Sequence, residues 1–246
     1  MWISHDGVPF SAPTGLKTWF YFLVKGVSVG ETLTFTIRNL NYQTLLFKLG
    51  LRPVFRQQGQ KAWKRTSGKL TWDCTEAGLV LTFVHTFGAP KKDATYFAFT
   101  YPFSYQEYLD KDRAMEEKFK NHKEIYFNRE LLGYSLEGRR MELLTITGYD
   151  ECTEEREEMI PFLFPEHEGD ASLRPYRFNK PTVFLSARVH PGETASSFVL
   201  NGILDFLTNE KNEQAAVLRK RFVFKVIPML NPDGVYRGYY RLDTKC

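Results

Sequence analysis

The sequence predicts an α/β fold in two parts, an N-terminal antiparallel β-sandwich followed by an α/β domain with a mixed sheet. Three observations carry this expectation. Over residues 31–40, Leu33, Phe35 and Ile37 alternate with Thr32, Thr34 and Thr36, the period of two expected of a strand with one wet face and one buried face. Similar short runs recur through the first hundred residues, separated by glycine turns and without helical interruption, as in a sandwich. After Pro181, an apolar run, a stretch of helical spacing and a second apolar run follow one another, the order of a right-handed crossover between parallel strands.

Taken in order, strands are expected at 19–24, 31–40, 49–55, 79–87 and 96–100, with breaks at Gly26, Gly30, Gly59, Gly68, Gly78 and Gly88-Ala89-Pro90. Ser104 and Glu107 form a capping box that opens a helix over 104–120, where Tyr105, Tyr108, Leu109, Met115 and Phe119 recur at helical spacing. The pattern change places the domain boundary near 102–104 and gives domains 1–103 and 104–246. Strands at 130–136 and 141–149 are joined by the hairpin Glu137-Gly138-Arg139-Arg140. Residues 150–180, with Glu154, Glu155, Glu157, Glu158 and three prolines, read as a surface loop or partly mobile insert. The run 181–189 suits a strand buried on both faces. Phe198, Leu200, Ile203, Leu204 and Leu207 mark the helix after it, and a polar connection over 208–214 leads to a second buried strand at 222–230. That strand ends at Asn231-Pro232-Asp233-Gly234, a turn signal, so His190 and Asn231 are expected on one edge of the sheet.

With 246 residues, 43% hydrophobic and 15% aromatic, the chain has enough apolar surface for a substantial core, which excludes a disordered protein. Cys74, Cys152 and Cys246 are odd in number and far apart, so neither a disulfide framework nor a cysteine zinc site is implied. There is no signal-peptide pattern and no window of 18 apolar residues, which points to a soluble cytoplasmic protein with no membrane partner. The net charge is +4, with Arg52, Arg56, Lys61, Lys64, Arg65 and Lys69 in one segment and Arg219, Lys220 and Arg221 in another. Such runs are solvated faces or attract an acidic partner, and no nucleic-acid-binding motif accompanies them.

The chemistry concentrates at His190-Pro191-Gly192-Glu193, between the expected strand and helix. A catalytic zinc takes about three protein ligands and keeps a position for water. His190 and Glu193, three apart across a turn stiffened by Pro191 and given φ freedom by Gly192, could supply two of them. The spacing alone equally suits a polar strand end and a first-turn glutamate favoured by the helix dipole.

The stretch ARVHPGETASSFVLNGILDFL, followed by IPMLNPDGVYRGYYR, resembles the zinc carboxypeptidases of the carboxypeptidase A type, in particular the cytosolic carboxypeptidases that trim glutamates from proteins. WFYFLVKGV, LNYQTLLFKLGLRPVFR and YFAFTYPFSYQEYL are similar to the β-sandwich that precedes the catalytic domain of those enzymes, here a partial zinc-carboxypeptidase α/β domain. The resemblance implies one Zn²⁺ on His190 and Glu193, and matches Arg241 to the arginine that polarises the scissile carbonyl, with Arg237 as its neighbouring rival. It assigns Asn231 and Arg237 to the substrate side, within a turn from Asn231 to Gly234 that shapes the floor of the site. The implied activity is removal of C-terminal or branch-point glutamates from polyglutamylated proteins such as tubulin, in the cytoplasm, at microtubules or in the nucleus. The family's Asn-Arg pair, third ligand histidine and general-base glutamate have no counterpart before Cys246. A truncated chain, inactive alone, is therefore the expectation, with His5, His85, His122 and His167 exposed or locally bonded. The alternative is a noncatalytic module that binds acidic protein tails.

Overall fold

In the computed structural model, residues 1–8, 15–88, 90 and 93–243 are described, so Ala89 and Cys246 lie outside the described residues. The chain forms two compact units: Met1–Pro102 with His190–Thr194 and Arg237–Cys246, and Phe103–Val189 with Ala195–Tyr236.

The first unit holds β1 (Tyr21–Val24), β2 (Thr32–Leu40), α1 (Thr44–Lys48), β3 (Val54–Gln57), β4 (Lys64–Arg65), β5 (Leu70–Thr75), β6 (Gly78–Thr86) and β7 (Thr95–Ala98). Two antiparallel sheets, ordered β1-β7-β3-β4 and β2-β6-β5, make the sandwich. The alternation in β2 sends Phe35 inward against Phe83 and Phe97, with ring centroids 5.1 and 5.0 Å away. Residues 49–55 were expected as one strand. Instead Thr44–Lys48 forms a helical turn, and pairing starts only at Val54, after Pro53, which has no N–H for a ladder. His85, expected to be exposed or locally bonded, is buried against Phe55, Phe87 and Phe97, and burial lowers its pKa.

The second unit opens with α2 (Tyr105–Phe119), whose capping box is present in full: Ser104 Oγ accepts from Glu107 N, and Glu107 Oε2 accepts from Ser104 N at 2.7 Å. Then come β8 (Tyr126–Tyr134), β9 (Arg140–Thr147), β10 (Cys152–Arg156), β11 (Tyr176–Phe178), β12 (Thr182–Ser186), α3 (Ala195–Leu207), α4 (Glu213–Arg221), β13 (Val223–Ile227) and α5 (Pro232–Arg237). The main sheet is ordered β12-β13-β9-β8, with β12 parallel to β13 and the other pairs antiparallel, the mixed sheet expected. Met115 and Phe119 of α2 and Leu200, Leu204 and Leu207 of α3 pack with Leu144, Ile146, Phe224 and Val226 of the sheet.

Five further expectations need correction. Among the described residues β12 is an edge strand with Phe184 60% exposed, so it is not buried on both faces. The acidic stretch over 150–180 carries the β10–β11 pair and two 3₁₀ turns, and is held by buried charge. Arg174 is bonded to Glu130, and Lys225 donates to Glu157 at 2.6 Å. The polar connection before the last strand includes α4, and Arg219 is not on a solvated face. It is 2% exposed and donates to the carbonyl of Leu207 at 2.6 Å, at the carboxyl end of α3, where a cation is favoured. Asn231-Pro232-Asp233-Gly234 is the start of α5, with Pro232 at its first position and Asn231 Oδ1 accepting from Gly234 N at 2.9 Å.

Candidate metal centre

His190 and Glu193 lie on a tight turn between β12 and α3, closed by Glu193 N donating to the His190 carbonyl at 3.2 Å. The helix begins two residues after Glu193, at Ala195, so the glutamate precedes the first turn. Imidazole and carboxylate meet, His190 Nδ1 lying 3.1 Å from Glu193 Oε2. Arg241 adjoins both, with Nη1 3.5 Å from Glu193 Oε1 and Nη2 3.4 Å from His190 Nε2. A guanidinium can only donate, so this network assigns the hydrogen of His190 to Nδ1, facing the carboxylate. All three side chains are partly open to solvent, at 31%, 45% and 43% exposure.

The turn is built against Tyr240. Gly192 N donates to the Tyr240 carbonyl at 2.8 Å, and the Tyr240 hydroxyl accepts from Gln43 Nε2 at 3.0 Å. The Tyr240 ring is 7% exposed, packs on Phe99, and has its pKa raised by burial. Gly192 was expected to supply φ freedom, yet its φ is not positive; a β-carbon there would sit 2.3 Å from Tyr240 Cδ2. Glycine is needed for close approach. The positive φ nearby belongs to Arg188, at 59°, a rare conformation for a side-chain-bearing residue. Arg188 is 3% exposed, donates to the Phe103 carbonyl and Ser197 Oγ at 3.0 Å each, and burial lowers its pKa to about 10.

Asn231 Nδ2 donates to the Val189 carbonyl at 3.2 Å, and Asn231 N to the Arg188 carbonyl at 3.2 Å, so this turn is bonded to the two residues before His190. Asp233 binds elsewhere, accepting from Ser135 Oγ at 2.6 Å, Glu137 N at 3.1 Å and Arg139 Nη1 at 2.8 Å, and thereby ties the β8–β9 hairpin to α5. Arg237 is exposed at the end of α5, and Gly238 after it has φ +74°, a left-handed helix stop. Sequence reasoning passed over Asp6, Tyr240 and Arg188. Asp6 carried no signal, since the amides of Tyr240, Arg241 and Leu242 that it accepts from lie far away in sequence.

A model of zinc carboxypeptidases matches residues 113–245, and one of the cytosolic carboxypeptidase N-terminal domain matches residues 1–100. The chain belongs to the zinc carboxypeptidase family. It is 42% identical over 255 residues to mouse (Mus musculus) cytosolic carboxypeptidase-like protein 5 and 44% identical to its human (Homo sapiens) counterpart, covering 100% of this chain and 28% of each relative. Human cytosolic carboxypeptidase 6 is 36% identical over 234 residues, covering 92% of this chain and 40% of that protein. The chain thus spans less than a third of the length of the first curated relatives. Among solved structures, a metallo-carboxypeptidase from Burkholderia cenocepacia superposes with a TM-score of 0.70 at 23% identity, covering 99% of this chain and 53% of that one. One from Pseudomonas aeruginosa, in complex with (2-guanidinoethylmercapto)succinic acid, gives 0.64 at 21%, covering 93% and 50%. At these identities the agreement is one of fold.

The family implies zinc, and the donor chemistry of the turn fits it, since an imidazole nitrogen and a carboxylate oxygen are ordinary ligands of this borderline ion. The number is two. Among the described residues no group of three or more His, Cys, Asp or Glu side chains converges. His5 bonds locally to the Asp6 carbonyl, His122 accepts from the amides of Glu124 and Ile125, and His167 lies 3.3 Å from Glu130.

Proposed function

We propose that this sequence carries the ligand turn of a zinc metallocarboxypeptidase that removes glutamates, C-terminal or at branch points, from polyglutamylated proteins such as tubulin. The observation that carries the reading is the convergence of His190, Glu193 and Arg241. His190 and Glu193 would hold the metal. Zinc supplies carbonyl polarisation and an activated water. Arg241 contributes a preorganised positive charge for the oxyanion that develops as the carbonyl is attacked. Asn231 and Arg237 stand on the substrate side, Asn231 through the backbone it fixes and Arg237 through an exposed guanidinium. The names of the relatives support a cytoplasmic setting, and tubulin would extend it to microtubules or the nucleus. With two donors among the described residues, turnover by this sequence alone is expected to be slight.

The test is glutamate release from a polyglutamylated peptide by a chimera in which this sequence replaces the matching 28% of the mouse relative. Release that chelator and His190→Ala both abolish is expected, and a folded chimera that releases none would sink the reading. A second reading, noncatalytic capture of acidic protein tails, is favoured by the two-donor count and by Lys64 and Arg65, both exposed on β4. Tail binding by the sequence alone, steeply salt-dependent and without glutamate release from the chimera, would select it.

A further inference from the structure

Asp6 lies 184 residues before His190 in the chain, yet its carboxylate accepts three successive backbone amides of the segment that carries Arg241. Oδ1 accepts from Tyr240 N at 2.8 Å, and Oδ2 from Arg241 N at 2.7 Å and Leu242 N at 3.2 Å. The residue is 4% exposed, and its own amide donates to the Leu16 carbonyl at 2.8 Å. Charge-assisted bonds to a carboxylate are the strong class, and three sharing one buried acceptor group fix a backbone far more tightly than a loop's own contacts.

What Asp6 fixes reaches the ligands by two routes. Through Arg241 it sets the guanidinium beside Glu193 and His190. Through Tyr240 it sets the carbonyl that receives Gly192 N–H and the ring against which the turn is packed. We propose that Asp6 is a positioning residue of the metal site, acting through the Tyr240–Leu242 backbone on both Arg241 and the His190–Glu193 turn. This rests on the metal-site reading above. Asp6 itself touches neither ligand in this network; it preorganises the groups that do, and outer-shell partners of metal ligands matter for affinity.

The test uses the full chain, with amide hydrogen exchange and Zn²⁺ calorimetry on the wild type, Asp6→Asn and Asp6→Ala. In Asp6→Ala, exchange at Tyr240, Arg241, Leu242 and Gly192 should rise about tenfold to a hundredfold while β6 amides keep their protection. Zn²⁺ affinity should fall about tenfold or more at a temperature where the chain stays folded. Asp6→Asn, which keeps one oxygen acceptor, should lie between. Unchanged Zn²⁺ affinity in Asp6→Ala, or deprotection spread evenly through β6, overturns the proposal, because the residue would then be inert or merely structural. If His190→Ala binds Zn²⁺ like the wild type, the metal-site reading fails instead, and the amide pattern alone decides whether Asp6 anchors the segment.

Discussion

Replacing Gly192 by alanine tests how the ligand turn is held. The added β-carbon would lie 2.3 Å from Tyr240 Cδ2 and 3.0 Å from both Tyr240 Cα and Cε2, where ordinary contacts begin near 3.4 Å. Turn and ring must therefore part by about 1 Å, and neither moves freely. Tyr240 is held by Asp6 at its amide, by Gly192 at its carbonyl and by Gln43 at its hydroxyl. Overpacking of this kind costs ~1–3 kcal/mol, which corresponds to a fall in melting temperature of about 2–12 °C for a chain of this size. The same displacement shifts His190 and Glu193 against Arg241, so Zn²⁺ affinity should drop by about tenfold or more. Thermal unfolding and Zn²⁺ calorimetry on Gly192→Ala read both effects. In a Tyr240→Ala background the ring is gone and only the 3.0 Å approach to the Cα of residue 240 remains, so the further change should be clearly smaller than in the wild type. A Gly192→Ala protein with wild-type melting and affinity would refute the packing argument, as would an equal penalty in both backgrounds.

Asp112 of α2 is 2% exposed, and its pKa is raised to about 8 by burial first and by the nearby Glu142 second, against the pull of Arg129 and Lys111. Because the folded chain holds this proton more tightly than the unfolded one, the stability it contributes is full below the unfolded value of 3.8 and is lost as pH rises through about 8. Asp112→Asn should flatten that decline and raise stability at pH 8 by at least ~2 kcal/mol, measured by urea unfolding at pH 5 and pH 8; parallel pH profiles for the two proteins would contradict it. Glu130 is 1% exposed, bonded to the equally buried Arg174, and burial pushes its pKa up to about 7 despite Arg174 and Lys225. Glu130→Ala removes the nearer of the two carboxylates on that guanidinium, leaving it only Glu157 Oε2 at 3.3 Å, and should cost up to ~3 kcal/mol, whereas the Glu130→Leu, Arg174→Met pair should cost far less; equal melting of the single and double variants would count against this.

The sandwich was legible where the pattern is local. Leu33, Phe35 and Ile37 alternate, and their inward placement follows from the pleat. The capping box at Ser104 likewise sits within four residues and needed no tertiary information. Legibility failed where distant groups decide. Nothing near Arg219 says that it ends buried at the carboxyl end of α3, because its acceptor, the Leu207 carbonyl, lies on another helix. The Asn-Pro-Asp-Gly signal suits a turn and a helix start alike, and packing of α5 selected the second. At the site, His190 and Glu193 could be singled out as candidates because both lie on one turn, but the spacing left their role open and only the family resemblance implied a metal. Gly192 was singled out for the wrong reason, because only the folded chain brings Tyr240 against it. Asp6 could not be found at all.

The claim that His190 and Glu193 form the metal-binding turn is met most directly by calorimetric titration of the full chain with Zn²⁺. With two donors among the described residues the account predicts weak binding at this turn, with affinity falling at least about tenfold in His190→Ala and in Glu193→Gln. Zinc binding that is unchanged in both variants would contradict it.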